Sequence, residues 1–476
     1  MIDGLKPYPG YKDSGVAWLG EVPGHWEVRR NGRLFSQRND TGFPDLPILE
    51  VSLRSGVCVR DFDASSRKQV MRDRAMYKRA LRGDITYNKM RMWQGAVGVA
   101  PVDGLISPAY VVARPLAGTE PSYFVYLYRT AVYVDEVDNF SRGIVKDRNR
   151  LYWERFKQIP TPYPPAVEQA AIVRFLDYAD RRIRRSIRTK QKLIKLLEEQ
   201  KQAIIHRAAT RGLDPSVRLK PSGVEWLGEV PEHWVVSPVR RLISFATSGS
   251  RGWAEFYSDE GDIFLQSGNL GRSMALNLSF IQRVRPPDGA EGERTRVECD
   301  DLLLCITGAL TGNVVHVADE LPAPSYVNQH VALIRPNRAA VIPRYLAYAF
   351  HSQIGRIQFK SVEYDGTKQG LGLDDVKSAL IPIPTLSEQS AICAKLDATL
   401  DRLAASLESV QREIALLHEY RTRLIADVVT GKLDVREAAL LLPDESEESE
   451  PLNEADPERE DVAEDNLDTL PEETLA

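Results

Sequence analysis

Two stretches of the chain carry the pattern of very long helices. Residues 166–211 contain no Gly or Pro over 46 positions, and residues 387–430 contain none over 44. In the first, Ile172, Leu176, Ala179, Ile183, Leu193, Leu197 and Ile204 fall on the a and d positions of one heptad frame. In the second, Ile392, Leu396, Leu403, Val410, Leu417, Tyr420 and Leu424 do the same, and Ser387 is the expected N-cap. Polar residues interrupt both seams: Ser186, Lys190 and Gln200 in one, Thr399, Ser406 and Glu413 in the other. At about 1.5 Å per residue each helix would extend ~65 Å, far beyond an ordinary core helix. Two readings compete: a weak solvent-facing pair of helices, or a pair whose polar seam positions set register while partner helices cover the remaining faces. Helices with so few apolar residues per turn rarely stand alone, which favours an antiparallel intramolecular coiled coil that also docks other subunits.

The regions before the helices, 29–157 and 237–380, have a different pattern. Short apolar or alternating runs lie between turn residues: Leu46–Val51, Gly95–Ala100, Tyr110–Arg114, Asp301–Thr307, Gly312–Val317 and His330–Arg335. Helical patterns occupy Pro121–Tyr133 and Pro343–Gln358. This mixture predicts an α+β chain.

The chain is a duplication. Ser14–Val28 and Ser222–Val236 are identical at 12 of 15 positions, at an offset of 208. Ile159-Pro160-Thr161-Pro162 leads into Glu168-Gln169, and Ile381-Pro382-Ile383-Pro384 into Glu388-Gln389. From there the offset stays at 220 through Asp177/Asp397, Thr210/Thr430 and Leu213-Asp214/Leu433-Asp434. Between the repeated parts only traces match, such as Gly83-Asp84-Ile85 with Asp300-Asp301-Leu302. The expected organisation is an N-terminal arm (1–12), a first domain (13–157), a connector and long helix (158–214), a second domain (215–380), a second connector and helix (381–436) and an acidic tail (437–476). The fold expected is two α/β domains in tandem, each followed by a long helix, the helices forming an antiparallel coiled coil with pseudo-twofold symmetry.

Charge divides the chain further. The net charge is −5, but residues 443–476 hold 15 Asp/Glu and one Arg, so the remainder carries +9. That tail has no aromatic residue and is expected to be disordered. Arg outnumbers Lys by 45 to 17, which suits bidentate contacts to phosphate, guanine or carboxylate. No apolar run approaches the ~18 residues of a membrane span, and the N-terminus lacks an export signal. The four cysteines (Cys58, Cys299, Cys305, Cys393) have no metal spacing and read as buried thiols of a cytoplasmic protein.

Catalytic constellations are absent. There is no phosphate-binding G-x-x-x-x-G-K-[ST] loop, no G-x-G-x-x-G after a strand, no Asn/Asp-Pro-Pro-aromatic tetrapeptide, no H-E-x-x-H and no paired C-x-x-C. His25 and His233 are equivalent by repeat, and either a pair of general bases or a pair of packed histidines would explain them. No acidic partner repeats beside them in sequence, which favours packing. Asp301 near Glu298 could begin a nuclease carboxylate cluster, but no lysine follows at short range.

Trp18-Leu19-Gly20-Glu21-Val22-Pro23, its copy at 226–231, and Ile-Pro-x-Pro…Glu-Gln before each long helix resemble the specificity subunits of type I restriction–modification systems. Gly143–Leu151 and Gly366–Leu373 resemble the glycine-to-leucine element that closes each target-recognition domain of that family. The resemblance covers residues 13–436 and excludes the tail. It implies a non-catalytic subunit without cofactors of its own. Each domain would read one half of a split, asymmetric site in double-stranded DNA. The helices would set the spacer and dock two adenine-N6 methyltransferase subunits. Restriction subunits with translocase and nuclease activity would join, and S-adenosylmethionine, ATP and Mg would belong to these partners.

Base readout favours Arg, Lys, Asn and Gln on loops, with Ser and Thr to phosphate. The candidates in the first domain are Arg54, Ser55, Asn88, Lys89, Arg91, Trp93, Gln94, Arg142 and Lys146. Those in the second are Ser248, Ser250, Arg251, Gln266, Asn269, Thr307, Thr311, Lys368 and Gln369. The basic run Arg181–Arg188 could be a solvated face, a DNA contact or an answer to acidic residues of the second helix. A coiled-coil adaptor with two domains that do not read DNA is the competing function.

Overall fold

The computed structural model describes residues 5–443 except 54, 61–73, 144–148, 250–251, 272, 287–288 and 362–369. Two long helices, α1 (Ala166–Arg211) and α2 (Leu386–Val429), are present as the pattern predicts. The chain divides into two units, residues 1–189 with 413–476 and residues 190–412. Helix α1 begins in unit 1 and ends in unit 2; α2 begins in unit 2 and ends in unit 1, so the pair is antiparallel. In unit 1 Ile172, Phe175 and Leu176 share a core with Leu424 and Val428. In unit 2 Ile205 and Ala208 share one with Ile392 and Leu396.

The strict heptad frame does not hold. The inward stripe follows it to Ile183 and Leu403, then steps four residues to the buried Ile187 and Leu407 instead of three to Ser186 and Ser406. It shifts again at Ile194 and Ile414, leaving Leu193 outside. Ten steps cover 36 residues in each helix, from Ile172 to Ala208 and from Ile392 to Val428. That is the natural pitch of an α-helix, so no sustained supercoil is imposed. Ser387 is not the N-cap either. Thr385 caps α2 through a reciprocal box: Glu388 N donates to Thr385 Oγ1 at 3.3 Å and Thr385 N to Glu388 Oε2 at 3.1 Å.

Each unit holds a four-stranded antiparallel sheet of the same topology. Unit 1 contributes β1 (Phe35–Arg38), β2 (Ile85–Asn88), β3 (Val97–Val99) and β4 (Tyr110–Pro115), in spatial order β1-β4-β2-β3. Unit 2 contributes β5 (Ile243–Ser248), β6 (Leu302–Cys305), β7 (Val314–His316) and β8 (Val331–Pro336), in order β5-β8-β6-β7. Two helices follow each last strand, Pro121–Tyr128 and Ala131–Phe140 in one unit and Pro343–His351 and Gln353–Ser361 in the other. Asp84 and Asp301 open the central strands in equivalent turns, where Gly83 and Asp300 take φ of 91° and 71°. Both aspartates are buried and paired with arginine: Asp84 with Arg38 at 2.7 Å and Asp301 with Arg335 at 2.9 Å. Arg335 also pairs with Glu298 at 2.9 Å, so these carboxylates are neutralised structural groups and not a nuclease cluster.

The repeated motifs are the joints of this scaffold. The Pro-rich connectors form edge ladders, Pro160–Tyr163 with Glu27–Arg30 and Leu380–Ile383 with Val235–Pro238. The Gln of each Glu-Gln pair is fully buried. Gln169 Nε2 donates to Pro164 O at 2.8 Å and its Oε1 accepts from Glu120 N at 2.8 Å. Gln389 repeats this with Pro384 O at 3.0 Å and Ile342 N at 2.7 Å. One side chain thus fixes connector, helix start and the helix following the sheet.

The preceding glutamate holds the Trp motif. Glu168 accepts from Tyr8 OH at 2.6 Å and Trp26 Nε1 at 2.9 Å, and pairs with His25 Nε2 at 2.7 Å. Glu388 pairs with His233 at 2.7 Å and accepts from Trp234 at 3.5 Å. A carboxylate therefore does repeat beside each histidine, 143 and 155 residues further along the chain. The packed, hydrogen-bonded reading of His25 and His233 is what the geometry supports. Each tryptophan abuts a left-handed glycine just past a long helix: a Cβ on Gly212 would lie 3.1 Å from Trp234, and one on Gly431 3.1 Å from Trp26. In unit 1 residues 5–8 meet residues 432–436, and Asp434 N donates to Lys6 O at 2.8 Å. By the repeat offsets both Lys6 and Asp434 correspond to Asp214, where unit 2 is continuous.

The cysteines are free, but only Cys305 and Cys393 are buried; Cys58 is half-buried and Cys299 exposed, which corrects the expectation for those two. Buried His351 contacts Gln202 at 3.1 Å, and burial lowers its pKa from 6.5 to about 4. Its folded value lies below its unfolded one. The stability it contributes is thus complete above pH 6.5 and is lost as pH falls toward 4, by about 3 kcal/mol in all. Urea midpoints measured from pH 7 to pH 4 should show this fall, and His351→Gln should flatten it.

Candidate nucleic-acid interface

In unit 2 the ends of five segments converge on one rim of the sheets. Strand β5 ends at Ser248, and Gly249 N donates to Asn328 O at 3.1 Å. Strands Asp262–Leu265 and Ser325–Val327 run parallel side by side, and Asn328 N donates to Leu265 O at 3.0 Å. After β6, Ile306 N donates to His330 O at 3.0 Å, and Leu371 N returns to Ile306 O at 2.7 Å. Asn313 Nδ2 ties the β6–β7 turn to Leu270 O at 3.1 Å. Ser248, Gln266, Thr307 and Thr311, scattered over 64 residues of sequence, thus share a rim.

The side chains that meet on that rim are polar, and exposed Arg294 stands beside them, its Nη1 donating to Thr247 Oγ1 at 2.6 Å. Thr307 Oγ1 bonds His330 Nδ1, and Gln329 Nε2 contacts His330 Nε2 at 3.0 Å. If the amide N–H donates there, the imidazole carries its proton on Nδ1 and donates to Thr307, leaving the Gln329 carbonyl for a ligand. Gln266 reaches Tyr257 OH at 3.2 Å, and Thr311 Oγ1 closes its own turn on Gly308 O at 2.6 Å. Asn269 differs from its expected role. It is buried, and its amide donates to Asn277 O and Phe280 O at 2.9 Å while its carbonyl accepts from Gln266 N at 2.8 Å. It shapes the loop, and both of its amide hydrogens are spent there, so it has no donor left for a base.

Unit 1 builds the same rim with other side chains. Leu151 N donates to Lys89 O at 2.8 Å, the counterpart of Leu371 with Ile306. The glycine-to-leucine element therefore closes both domains at one place, just after the central strand. Lys89 Nζ lies 5.5 Å from the Tyr152 ring centroid, Arg91 is half-buried, and Gln94 is exposed. Arg142, also exposed, pairs its backbone with Arg150 at 3.0 and 3.1 Å. The turn carrying exposed Ser55 packs on β3, where Gly98 approaches so closely that a Cβ would stand 2.5 Å from Val57 N. Burial, and then Lys89, holds the Lys78 ammonium below its usual range, as expected where cations crowd. Asn88 is again turned inward, its Oδ1 accepting from Met90 N at 2.9 Å, and Trp93 is half-buried with its indole N–H on Met90 O at 2.8 Å.

Arg54, Lys146, Ser250, Arg251, Lys368 and Gln369 lie outside the described residues, as do residues 444–476 of the tail expected to be disordered; its first residues, by contrast, continue the helix Arg436–Leu440, with Ala439 buried in the core of unit 1. Gln329, His330 and Tyr152 were missed by sequence reasoning. Only their proximity to strand ends could have signalled them. In the basic run, Arg184 pairs with Asp180 of its own helix at 2.8 Å, and α2 brings Arg421 to the same aspartate. Among the described residues no group of three or more His, Cys, Asp or Glu is placed to hold a metal ion. No described helix is long and apolar enough to cross a membrane.

Residues 295–416 match the family model described as the type I restriction modification DNA specificity domain. The chain is 25% identical to a protein named as the MjaX specificity subunit of a type I restriction enzyme in Methanocaldococcus jannaschii, over 88% of this chain and 96% of that one. It is 21% identical to the type I restriction enzyme EcoBI specificity subunit of Escherichia coli, over 57% of this chain and 58% of that one. A solved chain described under complex assembly and conformational transition of the type I R-M system shares the fold with a TM-score of 0.65, at 18% identity, covering 87% of this chain and 99% of its own. The HsdS subunit from Thermoanaerobacter tengcongensis does so with a TM-score of 0.50 at 17% identity, covering 87% and 98%. The resemblance carried by the repeat and its motifs is borne out: the chain is a relative of type I specificity subunits.

Proposed function

We propose that this relative of the type I specificity subunits is the non-catalytic DNA-reading subunit of such a system, acting in the cytoplasm. The observation that carries this reading is one scaffold bearing two chemistries. The sheets share strand order and closure, yet among the described residues the two rims present different side chains, Lys89, Arg91, Arg142 and Tyr152 on one and Gln266, Thr307, Gln329 and His330 on the other. A common scaffold docks two domains alike on a duplex, and unlike rims read unlike base edges. The site is therefore bipartite and asymmetric, with the antiparallel helices setting its spacer.

Leu196 and Leu416, equivalent at the 220 offset, are 60% and 58% exposed on the two long helices. Large apolar side chains outside a core mark contact surfaces, and their repetition supplies two like sites for two copies of one partner. Those partners are adenine-N6 methyltransferase subunits holding S-adenosylmethionine, joined by restriction subunits using ATP and Mg. The test is the adenine methylation map of cells with and without this gene. One split, non-palindromic motif should vanish on deletion. An unchanged map would favour the adaptor reading.

A further inference from the structure

Phe280 of unit 2 is 85% exposed, and neither of the core clusters beside it includes it. A single apolar side chain on a surface is ordinary by itself. What distinguishes this one is where the sheet places it and how firmly its backbone is held.

Strand Asp262–Leu265 pairs antiparallel with Gln282–Val284, Asp262 opposite Val284 and Phe264 opposite Gln282. Two positions further, the same register sets Gln266 opposite Phe280, at the end of the ladder that reaches the rim. Gln266 is still extended there, with φ −113° and ψ 168°. Residues directly opposite in an antiparallel pair project from one face, their Cβ atoms about 5 Å apart. That face is largely aromatic. Trp253, Phe264, Val284 and Tyr326 form a buried cluster on it, with Trp253 stacked on Phe264 at 5.1 Å between centroids. Tyr257, opposite Val284 in the adjoining ladder, receives the Gln266 amide at 3.2 Å. Gln266 and Phe280 are the outermost pair of this face.

Asn269 locks the pair. Its Oδ1 accepts from Gln266 N at 2.8 Å and its Nδ2 donates to Phe280 O at 2.9 Å, so one buried amide spans the two backbones. Asn277 closes the turn before Phe280, its Oδ1 accepting from Ser279 N at 3.0 Å. Earlier in the loop, Met274 holds a left-handed φ of 63° with its side chain buried in the core of unit 2. A left-handed methionine is uncommon, and the loop carries that strain. An exposed phenyl ring is thus presented on a fixed backbone beside a side chain on the rim, and little ordering remains for a ligand to supply.

We propose that Phe280 is a specificity-determining residue that reads a thymine through its C5-methyl group, next to the base pair contacted by Gln266. This rests on the DNA-reading function given above. Of the groups that base pairs display for recognition in the major groove, the thymine methyl alone is apolar. A phenyl ring among polar rim side chains makes its favourable contact there, and buries less area against cytosine, which lacks the methyl.

The test uses the full chain in complex with its methyltransferase subunits, and duplexes carrying the split motif found in the methylation map. Each thymine of the motif is replaced in turn by uracil, which removes only the methyl group. At one position the affinity, read by fluorescence anisotropy at fixed salt, should fall about fourfold or more. Phe280→Ala should bind the thymine duplex about tenfold less well and should no longer distinguish it from that uracil duplex. Phe280→Leu, still apolar, should keep at least about a twofold difference. No uracil effect at any position, or the same effect with and without Phe280, overturns the proposal and leaves the DNA-reading function standing. Loss of the methyltransferase subunits from the Phe280→Ala complex would make the ring a protein contact and overturn it too. A complex that binds duplexes without regard to the motif overturns both.

Discussion

Glu168→Ala should destabilise the protein by about 3–5 kcal/mol, whereas Glu388→Ala should cost only about 1 kcal/mol. The two glutamates occupy equivalent places in the repeat, so the contrast comes from their surroundings. The Glu168 side chain is 5% exposed and that of Glu388 37% exposed. Removing the Glu168 carboxylate leaves Trp26 Nε1 and Tyr8 OH buried without an acceptor. Each orphaned donor costs about 1–3 kcal/mol, and the lost bonds are charge-assisted. Burial, with the bond to Glu168 next, raises the Tyr8 hydroxyl far above the usual phenol range, so it remains the donor at any workable pH. At Glu388 water reaches the site, the indole bond is long at 3.5 Å, and part of the carboxylate is committed to the capping box with Thr385. Urea denaturation of both variants checks the asymmetry; equal losses would mean that the Trp motifs are not held by these carboxylates.

The second large effect concerns recognition. If residues 239–379 are replaced by the corresponding region of a relative that reads another site, adenine methylation should move to a hybrid motif. One half should be retained, one half should be new, and methylation at the original site should fall by at least about 10³-fold. The junctions are chosen from the geometry. Both lie beside the ladder of Val235–Pro238 with Leu380–Ile383, which stays intact, and Gln389 still offers its carbonyl to whatever backbone replaces Ile342 N. Interactions across such joints depend on backbone groups, so they tolerate an exchanged side-chain set. Methylation mapping of the hybrid decides the matter. A change in both halves would refute the assignment of one domain to each half.

Much of this architecture is readable in one dimension because it is periodic or repeated. The long helices follow from 46 and 44 residues without Gly or Pro, and the duplication from 12 identities in 15. The role of the Glu-Gln pair is not readable in this way. Its partners, Trp26, Glu120 and Tyr8, lie 142, 49 and 160 residues away. The heptad frame misplaces Ser186 and Glu413 because a helix of 3.6 residues per turn drifts about 20° per heptad, and the apolar Ile187 and Ile414 take up that drift. Asn88 and Asn269 looked like base readers because composition marks loop residues but not their direction. In the folded chain both satisfy backbone groups of their own turns.

Local order along the chain was sufficient to establish the duplicated plan, the two rods, the connectors and the family resemblance, since each depends on spacing between near neighbours. Only the tertiary structure decided which polar groups are consumed in holding the scaffold and which stand on the rims. Hydrogen-bond satisfaction in a buried site is settled between segments far apart in sequence, and the same pair of residues, Glu168 and Glu388, ends in a dry site in one unit and a wet one in the other.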